Sequence, residues 1–181
     1  SGSGRRTSST TRRDTPRWIA QVQTEMLTCL GQAKTRAELP EALHAAFHVY
    51  EQAVKRLKQS QVPPELLVVN GKVSYVLEAY KSATASVRAA HQLQAAGMQI
   101  RPGQRVRFLF MQGEPDVYAW ELGGQVDPAK LDQHKYLELL AKAGGSVLQP
   151  FGIDPQVLME WTLKGGIQLP LDTWNKALLE V

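Results

Sequence analysis

The chain has 181 residues, 43% of them hydrophobic, with one cysteine and a formal net charge of +4. That length suits one domain, or one domain with an appendage, and no apolar run is long enough to span a membrane. The lone Cys29 excludes an internal disulfide framework and every cysteine-rich zinc arrangement, and it fits a reducing compartment.

Residues 1–14 are rich in Ser, Thr and Arg and lack apolar periodicity, which predicts a flexible basic entry segment. Its opening, Ser1-Gly2-Ser3-Gly4, reads as a cloning scar and carries no secretory pattern. A helix should begin at Thr15-Pro16, an N-cap residue followed by a first-turn proline. Trp18, Ile19, Val22, Met26, Leu27 and Leu30 then recur at helical spacing, with Gly31 as the stop. A second helix is predicted from Leu39-Pro40 to Lys58, with the stripe Leu43, Phe47, Tyr50, Val54 and Leu57. The short loop between them predicts an antiparallel pair.

Val62-Pro63-Pro64 ends that pair, and the apolar run Leu66–Val69 before Asn70-Gly71 predicts a strand or extended segment. A third helix should start at Ser82 or Thr84 and stop at Gly97. Alternating Val106, Phe108 and Phe110, a turn at Gly113-Glu114-Pro115-Asp116, then Val117, Ala119 and Glu121 predict a β-hairpin. The remainder reads as helical over 132–149, over 155–164 behind Asp154-Pro155, and in a short piece at 172–180. The expected fold is mostly α (α+β): a helix pair, further C-terminal helices and one small antiparallel hairpin.

Charge is unevenly placed. Residues 5–17 carry five arginines against Asp14, and residues 18–71 balance five bases with five acids. Residues 72–107 hold Lys72, Lys81, Arg88, Arg101, Arg105 and Arg107 against Glu78 alone, whereas residues 108–181 set five lysines against ten acids. A basic middle of this kind is either a solvated polar face or a surface for a polyanion.

The residues in that middle carry a resemblance. Tyr80-Lys81-Ser82-Ala83-Thr84-Ala85-Ser86-Val87-Arg88, then Gly97, then Ile100-Arg101-Pro102-Gly103 leading into Arg105-Val106-Arg107-Phe108, resemble the thumb of family B DNA polymerases. Asp132–Tyr136 and Val147-Leu148-Gln149-Pro150-Phe151-Gly152 are similar to that family's late thumb helix and its end. Upstream, Arg12-Arg13-Asp14 resembles the palm edge, and Val62-Pro63-Pro64-Glu65-Leu66-Leu67 the connection after the helix pair. The ordered likeness runs over about residues 12–152, closest in feel to bacterial and archaeal members. It departs at Ala85-Ser86, where the family often has Pro-His, so a contact made by that histidine has no counterpart here.

The resemblance implies three segments: an entry at 1–14, a thumb-like DNA-binding domain at 15–165 and a tail at 166–181. It implies a non-sequence-specific grip on primer–template duplex, in replication or repair, beside palm and fingers domains. The parent would be a DNA-directed DNA polymerase, a nucleotidyltransferase in the cytoplasm at the nucleoid. Neither an Asp-Thr-Asp nor a Ser-Leu-Tyr-Pro-Ser motif occurs, so the carboxylates that hold a metal pair are missing and this chain alone should be inactive. Mg2+ is expected only in the parent's palm, with no cofactor here.

Gripping a duplex without reading it requires Lys, Arg and neutral donors aimed at phosphates. The expected DNA-binding residues are Arg12, Arg13, Lys72, Tyr80, Lys81, Ser82, Thr84, Ser86, Arg88, Arg101, Arg105 and Arg107. Lys81–Thr84 would sit at a helix N-terminus, where free N–H groups favour an anion. Arg105 and Arg107 alternate with Val106 and Phe108, so both arginines face away from the apolar side.

In the tail, Gln168-Leu169-Pro170-Leu171 resembles the peptide by which bacterial polymerases hang on a sliding clamp. Asp172 stands where phenylalanine belongs, and Trp174 is the alternative pocket filler, so the clamp-binding set is Gln168, Leu169, Leu171 and Trp174; the competing reading is packing with Asp172 as an N-cap. His44 and His48, four apart, lack a third ligand, Cys29 reads as core, and Trp120 is the tryptophan to test for duplex contact. The alternative reading of the whole is a helical protein-interaction module acting through its C-terminal peptide.

Overall fold

In this computed structural model the residues described are 15–73 and 84–165. Pro16 precedes α1, Arg17–Gly31, and α2 spans Leu39–Lys58, with the bounds the apolar stripes require. Within the bounds 15–165 the described residues cluster as two compact units, one of 19–55 and 137–165, the other of 15–18, 56–73 and 84–136.

The first unit is helical. Ile19, Met26, Leu43, Ala46 and Tyr50 are buried, as are Leu140 and Ala141 of α4 (Gln133–Leu148) and Leu158 of α5 (Pro155–Lys164). Asp154 caps α5, its carboxylate accepting from the Gln156 N–H at 2.9 Å, and Pro155 supplies the first turn. Trp161 packs against Phe47 and Tyr50 with tilted rings, centroids 5.3 and 6.1 Å apart. The Thr162 hydroxyl donates to Leu158 O, so the Tyr50 hydroxyl is the donor in its 2.5 Å bond to Thr162 Oγ1. Burial pushes that phenol well above the usual tyrosine range. Gly144 lies inside α4, a position that ordinarily costs about 1 kcal/mol against alanine. Its reason is the Tyr50 ring, 2.6 Å from where a Cβ would stand.

The second unit is a three-stranded antiparallel sheet with one helix on it. Strands β1 (Val69–Lys72), β2 (Arg105–Phe110) and β3 (Val117–Ala119) lie in the order β1-β2-β3. The register pairs Val69 with Phe108, Asn70 with Arg107, Gly71 with Val106 and Lys72 with Arg105. Helix α3, Ala85–Ala95, starts at Thr84, whose hydroxyl accepts from the Val87 N–H. Gly97, at φ +91°, turns the chain so that the Met98 N–H reaches Leu93 O at 3.0 Å. The Tyr136 hydroxyl donates to Leu67 O (2.8 Å) and accepts from the Phe110 N–H (3.0 Å), fastening β2 to the chain before β1.

Two expectations need correction here. The strand predicted at Leu66–Val69 is displaced: residues Pro64–Leu66 form a 3-10 turn, and the strand runs through Asn70-Gly71 rather than stopping there. The second hairpin strand ends at Ala119, because Trp120–Leu122 form another 3-10 turn. The hairpin is therefore part of a larger sheet. The piece at 172–180 lies outside the described residues. Among those described, no helix is long and apolar enough to cross a membrane.

Candidate nucleic-acid interface

An antiparallel pair sends cross-strand partners to the same face and successive residues to opposite faces. A Cβ on Gly71 would stand 2.6 Å from Ser86 Cβ and 3.2 Å from the Phe108 ring, which puts α3 on the face of Val69, Gly71, Val106 and Phe108. Those apolar side chains are buried. The opposite face of the same two strands therefore carries Asn70, Lys72, Arg105 and Arg107, and both arginines and the lysine are exposed. The alternation inferred for β2 holds, with Val106 and Phe108 at 1% and 3% exposure between the arginines.

Lys72 and Arg105 are direct cross-strand partners of like charge. Such a rung is destabilising in isolation, because the two side chains stand on Cβ atoms only about 5 Å apart. Among the described residues neither has an ion-pair partner. One rung further on, Arg107 Nε donates to Glu121 Oε1 at 2.7 Å. Arg101 is exposed in the turn ahead of β2.

Helix α3 belongs to the other side of the sheet, and its polar groups are committed to holding it there. Arg88 donates from Nε and Nη2 to the two oxygens of Asp116, at 2.9 and 2.8 Å. The Gln92 amide donates to Val117 O and accepts from the Ala119 N–H, both at 2.8 Å, so it stands where a fourth strand would pair with β3. Thr84 caps the helix, and Ser86 lies against Gly71. The structure thus gathers Lys72, Arg105 and Arg107 on one face and sets Thr84, Ser86 and Arg88 apart from them. Tyr80, Lys81, Ser82, Arg12, Arg13, Gln168, Leu169, Leu171 and Trp174 lie outside the described residues.

Of the remaining candidates, His44 and His48 are exposed on α2, Cys29 is half-buried, and Trp120 is half-buried in the turn after β3. No three His, Cys, Asp or Glu side chains among the described residues are grouped so as to hold a metal ion. The sequence reading missed Asn70, Asp116 and Glu121. Asn70 is placed opposite Arg107 by the β1–β2 register, which no local pattern in the sequence announces.

A profile of DNA polymerase family B matches residues 6–149. A DNA polymerase of Thermococcus sp. (strain GE8) is 28% identical over 153 residues, covering 79% of this chain and 9% of that protein. One from Thermococcus sp. (strain 9oN-7) is 27% identical over 153 residues, covering 79% of this chain and 19% of that protein. The structure of the family B DNA polymerase from the hyperthermophilic archaeon Pyrobaculum calidifontis shares the fold, with a TM-score of 0.64 over 78% of this chain and 18% of that chain at 20% identity. The chain spans about a tenth to a fifth of the length of these relatives.

Proposed function

We propose, since this chain belongs to DNA polymerase family B, that it is the thumb region that holds primer–template duplex by its sugar–phosphate backbone. The observation that carries the reading is the like-charged Lys72–Arg105 rung on the face opposite α3, without an ion-pair partner among the described residues and with Arg107 beside it. Phosphate contacts fix position without reading sequence, which is what a polymerase needs from a part that must slide along any duplex. Nucleotidyl transfer and its divalent metal ions then belong to a palm, and this chain supplies retention of the primer terminus rather than catalysis.

The test is duplex binding as a function of salt. Each phosphate neutralised contributes a slope of about −0.9 in log K against log salt, so Lys72→Ala/Arg105→Ala, which empties the rung that faces one phosphate, should flatten the slope by about 0.9 and weaken unrelated duplexes alike. Unchanged affinity and slope in the double variant would refute the assignment. A second reading, favoured by Gln168-Leu169-Pro170-Leu171, is attachment to a sliding clamp. Clamp retention by wild-type chain, lost in Gln168→Ala/Leu171→Ala, supports it; equal retention makes the peptide a packing element.

A further inference from the structure

We infer that Glu121 is a tethered stand-in for phosphate, occupying Arg107 until a nucleic-acid strand displaces it. The inference rests on the duplex-holding reading and names how its binding face is tuned. Two arginines of this unit pair with acids, and the two pairs are built differently. Arg88 meets Asp116 through two donors and ties α3 to the turn between β2 and β3. Arg107 meets Glu121 through Nε alone, with the side chains 51% and 34% exposed. Among the described residues the other two nitrogens of the Arg107 guanidinium make no hydrogen bond.

Glu121 is held in place by backbone. The 3-10 turn Trp120–Leu122 closes with the Gly123 N–H on Trp120 O at 3.1 Å, and the Tyr118 hydroxyl donates to Gly123 O. The carboxylate is thus presented to Arg107 by a fixed turn directly after β3, at the end of the cationic face. Arg105 and Arg107 lie two residues apart on one face, about 6.8 Å along the strand, a spacing comparable to that of neighbouring phosphates on one DNA strand. A strand laid across the rungs brings one phosphate to Lys72 and Arg105 and the next to Arg107. An exposed single-contact ion pair is weak, so a phosphate able to engage the whole fork replaces the carboxylate.

The experiment is a cycle of duplex-binding isotherms at several salt concentrations, using the 181-residue chain, Glu121→Gln, Arg107→Ala and the double variant. Glu121→Gln should tighten binding about 2–5-fold at low salt and steepen the salt slope. Arg107→Ala should abolish that gain when combined with it. A gain that persists without Arg107 reports only the general loss of a negative charge and overturns the inference. No gain in Glu121→Gln, with Lys72 and Arg105 still required for binding, overturns it while leaving the duplex-holding reading intact. Absence of salt-dependent duplex binding by the wild-type chain removes both.

Discussion

Replacing Gln92 by alanine should cost far more than its place on a small helix implies. Its amide bonds both Val117 O and the Ala119 N–H at 2.8 Å, and these two residues are 1% and 0% exposed. Alanine leaves a buried carbonyl and a buried N–H without partners, each worth about 1–3 kcal/mol, against a gain of a few tenths in helix propensity. The expected loss is about 2–4 kcal/mol, which at a urea m-value of roughly 2–3 kcal/mol/M lowers the midpoint by about 0.7–2 M. Gln94, exposed on the same helix, is the control, and Gln94→Ala should stay within about 0.5 kcal/mol of wild type. Urea unfolding followed by circular dichroism gives the midpoint, and hydrogen exchange at the Ala119 amide reads the bond itself. If Gln92→Ala unfolds within 0.5 kcal/mol of wild type and the Ala119 amide keeps its protection, the amide does not seal the sheet edge and the reasoning fails.

Gly144→Ala should destabilise by about 1 kcal/mol or more, because overpacking against the Tyr50 ring at 2.6 Å outweighs the propensity gain, and a higher melting temperature would contradict this. Tyr50 and Tyr136 are both held neutral by burial, with their ionisation pushed well above the usual range. The unfolded chain loses these protons from about pH 10 while the folded chain keeps them, so stability should be flat below that pH and fall above it by about 1.4 kcal/mol per pH unit for each tyrosine. Tyr136→Phe should halve that alkaline slope.

Much of this fold was legible because the helices announce themselves locally. Asp154-Pro155, Thr84 and the stripe from Leu43 to Leu57 each state a cap or a face within a few residues, and the helices stand there. The sheet was less legible because its first strand pairs with a segment more than thirty residues away, and nothing near Val69 names that partner. Asn-Gly is a pair common in turns, yet Gly71 sits mid-strand because Ser86 leaves no room for a side chain. For the binding face, alternation along β2 revealed the direction of Arg105 and Arg107, whereas the division between sheet and helix cations depended on which face α3 covers. The acids that occupy Arg88 and Arg107 come from segments 28 and 14 residues distant, beyond any local pattern.

The missing side chain at Gly71 has a mechanical consequence. Helix α3 packs directly on bare backbone of β1, one residue from Lys72, with Ser86 Cβ 2.6 Å from where a side chain on Gly71 would begin. The distance between helix and strand is thus set by main chain rather than by an adjustable side chain, and any larger residue at position 71 would lever the two apart.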